Sequence, residues 1–205
     1  MAITLLVFAH LIAACIAIGT IVITDLRLFA RAMGYSVVIP PPERLETRVI
    51  TGALLLLYLS GACLIALGVQ GFAGHLSNPK LQGKLVLVAL LTLNAFFLHR
   101  QVFPILGRSR TVSCWTRREW LTVSLSVSLS NSLWFYCAFL GVARVWNGTV
   151  SLALVLAVAL LAWMVFLVLV NALLFVAARD RPRERPDWID SMKASLSDFS
   201  GLRDR

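Results

Sequence analysis

The stretch TVSLSVSLSNSLWFY, residues 122–136, decides how the whole chain is read. Serine alternates with Val or Leu from residue 123 to 130, and a period of two is the signature of a half-buried strand. The surroundings overrule it. The chain has 59% hydrophobic and 14% charged residues and a mean hydropathy of +0.84. Globular domains sit nearer 45–50% and about 25%. A lone strand in lipid leaves its backbone N–H and C=O groups without partners, whereas a helix satisfies them internally. The segment is therefore expected to be a helix. Wound at 100° per residue, it carries Ser124, Ser128, Asn131 and Ser132 on one face and Ser126 and Ser130 on the other. Small polar residues on two faces predict a helix packed between neighbours, with the lining of a polar cavity as the alternative.

Working outward, five segments reach the roughly 20 apolar residues that a membrane-crossing helix requires: 3–25, 49–71, 83–103, 119–143 and 149–177. No internal repeat divides them. The expectation is an all-α membrane protein, residues 1–178 forming one five-helix bundle and residues 179–205 a tail. Sixteen of the 19 Lys and Arg fall in the first loop, the third loop and the tail, and only Lys80, Lys84 and Arg144 on the other side. The positive-inside rule then puts the N-terminus outside and the C-terminus in the cytoplasm of a bacterial inner membrane. Charge of this kind marks membrane loops, so the net +9 does not point to nucleic acid. In the tail, Trp188, Met192, Leu196 and Phe199 recur at helical spacing, which predicts an amphipathic helix on the inner surface. The first segment lacks the basic start of a signal peptide and is read as a retained helix, although IAAC at 12–15 faintly resembles a lipoprotein cleavage site. Cys15, Cys63, Cys114 and Cys137 have no metal spacing, and no disulfide framework is expected.

Ionisable residues inside spans are functional candidates by default. In the first helix His10, Ala13, Ala14, Ala17, Thr24 and Asp25 share a small, polar face that should point inward. In the third, Lys84, Val88, Leu91, Thr92, Ala95 and His99 share a broad face. Fifteen residues separate Lys84 from His99, about 22 Å of helix rise, so the two cannot touch. Two polar levels result. The outer one holds His10 and Lys84, with His75 near in sequence to the same surface. The inner one holds His99, Asp25 and Arg27, with Asn94 about a turn deeper. An inward imidazole in a helical bundle can ligate haem iron, and a basic neighbour can pair with a propionate. His10 and His99 are then the candidate metal ligands. The bland reading is that His10 hydrogen-bonds a neighbouring helix and Lys84 snorkels to the headgroups.

The first helix reads HLIAACIAIGTIVITDLRLF, and the third opens with NP, four residues, KL and then KLVLVALLTLNAFFLH. These segments resemble a bacterial family of multi-helix membrane proteins and, more distantly, the HemJ-type protoporphyrinogen oxidases and CopD-like copper-resistance membrane proteins. The resemblance covers roughly residues 5–105. In the HemJ-type enzymes a first-helix histidine and a lysine opening the third helix are the functional pair, which falls here on His10 and Lys84. The resemblance implies one or two b-type haems and oxidation of a porphyrinogen at the membrane. The first helix departs from those enzymes in lacking their tryptophan and PRLF wording, and a fifth helix is present. The leading expectation is a haem-b membrane redox protein, in electron transfer or as an oxidase. The alternatives are a copper-handling or small-solute transporter and a non-catalytic subunit of a larger membrane complex, or a homo-oligomer. Copper is disfavoured by the lack of Met pairs and His/Cys clusters in the spans.

Overall fold

A computed structural model describes residues 2–32, 44–71, 74–106 and 112–179. Among them the ordered elements are all helical. They are α1 (Ala2–Ala32), α2 (Arg44–Gly71), α3 (Pro79–Phe97), the short α4 (Phe103–Leu106), α5 (Arg117–Val142) and α6 (Leu152–Arg179). A π-helical turn, Leu98–Val102, joins α3 to α4. Five helices are long and apolar enough to cross a membrane: Ile3–Ile23, Arg48–Gly71, Pro79–Leu106, Arg117–Val142 and Leu152–Arg179. Their limits lie close to the sequence-based spans. The third begins earlier than expected because Asn78 caps it, its side chain accepting from the Lys80 N–H at 3.0 Å, and Pro79 occupies the first turn without needing a donor. The fifth crossing starts later, at Leu152.

The serine-rich helix α5 is the centre of the bundle, with α3 and α6 packed along it and α1 touching it. Ser124, Ser126, Ser128, Asn131 and Ser132 are all buried, so the two-faced polar pattern marks a sandwiched helix, as the sequence suggests. Each face is stitched to a neighbour. Toward α3, Ser126 Oγ donates to Asn94 Oδ1 at 2.8 Å, and Asn94 Nδ2 donates to the Ser126 carbonyl at 2.9 Å. Toward α6, Trp163 Nε1 donates to Ser128 Oγ at 3.2 Å, Trp120 Nε1 to Asn171 Oδ1 at 2.9 Å, and Tyr136 OH to the Val155 carbonyl at 2.8 Å. Asn171, a lone polar residue within the aliphatic α6, thus receives an indole from α5. In lipid, van der Waals fit and such bonds replace the hydrophobic effect as the force between helices. Gly83 supplies the fit. A Cβ there would stand 2.6 Å from Val155 Cγ1, so α3 and α6 meet only because the side chain is missing.

The first two helices form a hairpin of their own. Ala13 and Ala17, on the face expected to point inward, are fully buried, and Ala53 of α2 is buried as well. The hairpin reaches the rest through α1, which packs on α6 and α5. It meets α3 more sparingly, with Ala17 and Ala53 in one buried cluster with Leu87 and Leu91. There Tyr58 of α2 hydrogen-bonds Thr92 of α3. The amphipathic tail predicted after Arg185 lies outside the described residues.

Candidate functional site

Where the hairpin faces α3, the His10–Lys84 level forms. His10 sits on α1 with its ring against α2. Its Nδ1 lies 2.8 Å from Ser60 Oγ, and its Cε1 lies 3.6 Å from where a Gly61 Cβ would stand. Ser60 is 3% exposed, and its hydroxyl donates to the Leu56 carbonyl one turn back, at 2.6 Å. A serine has one proton. If Leu56 takes it, Ser60 must accept from His10, which places the imidazole proton on Nδ1. Nε2 would then carry the lone pair, with no hydrogen-bond partner among the described residues. A neighbour that fixes the tautomer through one ring nitrogen is how proteins present the other to a metal or a proton.

Lys84 approaches the same place from α3. It lies within electrostatic reach of His10 on α1 and of Cys137 on α5, and its Nζ is 3.8 Å from where a Gly141 Cβ would stand. The sequence-based pair is thus brought together, by four helices. Lys80, one turn earlier, is 8% exposed and donates from Nζ to the Ala143 carbonyl at 2.8 Å. There it caps the C-terminal end of α5, where the helix dipole favours a cation. Sequence reasoning missed that role. Lys80 also repels Lys84, and among the described residues no carboxylate pairs with either of them. The chain has no Asp or Glu between Glu46 and Glu119, and none between Glu119 and Asp180. That spacing is visible in the sequence. It leaves Lys84 as a half-buried basic group with no acidic partner among the described residues.

The other sequence candidates fall elsewhere. His75 lies in a short 3₁₀ turn, His75–Ser77, and its ring covers Gly68 of α2, where a Cβ would come within 2.6 Å of Cδ2. Gly68 is seven residues beyond Gly61, about 10 Å along the helix, so His75 and His10 occupy separate seats and do not face one point. At the other polar level, His99 and Asn94 do not come together. Asn94 is buried and bound to Ser126, whereas His99 is exposed, its ring edge-on to Phe103 at a centroid distance of 4.7 Å. The reason is the winding. Fifteen residues overshoot four whole turns by about 60°. The stripe that becomes buried runs through Lys80, Gly83, Leu87, Leu91 and Asn94 to Val102, and His99 falls off it inside the π-turn. Asp25 and Arg27 belong to α1, but their side chains lie outside the described residues.

Among the described residues no three His, Cys, Asp or Glu side chains gather as a metal-binding group. The His10–Lys84 level offers one imidazole, a thiol and an amine. The described residues thus form an all-helical fold with five membrane-length helices, and His10 and Lys84 lie near one another where four of them meet. No protein-family model, curated protein or solved structure matches the chain.

Proposed function

We propose that this protein is a multi-pass protein of a bacterial inner membrane, N-terminus outside, that binds b-type haem at the outer level and acts in redox chemistry. The observation that carries the reading is the His10–Lys84 arrangement: an imidazole bound through Nδ1 to Ser60, near a lysine with no acidic partner among the described residues. His10 would be the axial ligand through Nε2. Lys84 would neutralise a propionate, and the charge-assisted bond would hold the macrocycle's edge. A flat, apolar group would enter sideways from lipid by parting α2 from α3 beside the Tyr58–Thr92 contact. Haem supplies one-electron chemistry when bound. The chain's part is to fix the imidazole tautomer, balance the carboxylate and keep water from the group by enclosing it among apolar helices. With His99 exposed on the far side and His75 seated on Gly68, the arrangement favours one haem held by a single histidine. Oxidation of a porphyrinogen, as the resemblance implies, fits the same demand for a carboxylated planar ligand.

The test separates the two residues. Detergent-purified apoprotein is titrated with haem and with haem dimethyl ester, which lacks carboxylates. Lys84→Met should weaken haem about tenfold or more, the worth of one charged hydrogen bond, and leave the ester unchanged. Equal affinity of wild type and Lys84→Met for haem would remove Lys84 from the site.

A further inference from the structure

At the end of the bundle opposite Lys84, α3 continues into the π-turn, which still packs on α5. The π-turn widens the helix just before Pro104, which has no N–H to continue the ladder. Between that bend and the first turn of α5 lies a cavity of about 420 Å³, lined by Arg100, Gln101, Pro104, Ile105, Arg118 and Thr122, with Glu119 at its edge. Arg100 and Arg118 come from different helices, are both exposed and form no ion pair with a described residue. Arg100 rests on the Phe96 ring, 5.6 Å from its centroid, which leaves its donors free. The carboxylate of Glu119 is committed to Thr116, accepting from its backbone N–H at 2.8 Å and its hydroxyl at 3.0 Å. Two guanidiniums against the one Glu119 carboxylate leave the lining net positive, with Gln101 and Thr122 as polar neighbours and Pro104 and Ile105 as an apolar wall.

We infer that this cavity seats the phosphate of an anionic phospholipid headgroup. The walls stand where the apolar lengths of two spans end, at Leu106 and Arg117, which is the depth of headgroup phosphates if the five helices cross the bilayer. A guanidinium from each of two helices can bind the phosphate oxygens in a forked arrangement. The apolar wall faces the glycerol and upper acyl chain. Basic pockets between membrane helices recognise anionic lipids in this way. The inference stands apart from the haem reading and rests only on membrane insertion.

The experiment is a native mass-spectrometric titration of the full chain in micelles with short-chain phosphatidylglycerol, with phosphatidylcholine of the same chains as the neutral arm. Phosphatidylglycerol should bind the wild type, and the Arg100→Gln/Arg118→Gln double variant should bind it roughly thirtyfold more weakly, at about one surface charge's worth per arginine. Arg100→Lys/Arg118→Lys should keep most of the affinity, which separates lost charge from lost folding. Equal binding of the two lipids, or unchanged binding in the glutamine variant, overturns the proposal. Competition by millimolar inorganic phosphate would make the ligand a soluble anion and also overturn it.

Discussion

Ser60 controls more than its size suggests. With its hydroxyl proton on the Leu56 carbonyl, Ser60 can only accept from His10, which then holds its proton on Nδ1 and its lone pair on Nε2. Ser60→Ala removes the partner and should lower haem affinity between about ten- and a hundredfold, the usual effect of losing a ligand's hydrogen-bond support. Visible-absorbance titration would check it, and an unchanged affinity would mean that His10 is held by packing alone. The histidine and the lysine were legible in the sequence, because ionisable groups inside apolar runs stand out. Ser60 was not, since one serine among aliphatic residues carries no sign of which helix it faces. Lys80 was hidden for a similar reason. Its target is the backbone carbonyl of Ala143, 63 residues away, and no residue type announces it.

Among the elements, α5 shows why period alone misleads. Alternating serines satisfy a strand pattern, yet the same residues supply both faces of a helix with small polar contacts. Asn94→Leu breaks the reciprocal pair with Ser126 and should cost about 1 kcal/mol, two membrane hydrogen bonds of ordinary strength. Unfolding by SDS in mixed micelles would measure it. Gly83→Ala tests the α3–α6 contact. The added methyl meets Val155 and should cost about 1–3 kcal/mol by overpacking, most of it recovered in Gly83→Ala/Val155→Ala. A non-recovering double variant would place the clash elsewhere. The number and limits of the helices were readable from hydropathy, whereas the inward stripe of α3 was not. Four or more turns amplify a small error in winding, and the π-turn adds its own. That is why His99 reads as an inner ligand by spacing and stands exposed in the fold.

For the whole molecule, the charge distribution sets the account. Positive residues crowd the loops at one end, and at the other end a few basic groups stand without acids. If the positive-inside rule orients the chain, an impermeant maleimide should label Asn147→Cys from outside intact cells and spare Ser109→Cys, in a background without the native cysteines. The reverse pattern would invert the bundle and move the haem level to the cytoplasmic half. The asymmetry of acids also makes the central claim open to direct trial. The most direct measurement is the absorption spectrum of the protein purified from haem-replete cells, beside His10→Ala purified in the same way. The account predicts a Soret band with b-type α and β bands, near one haem per chain, lost in His10→Ala while the helical circular dichroism persists. A folded, colourless wild type, or a His10→Ala variant with an unchanged spectrum, would contradict it.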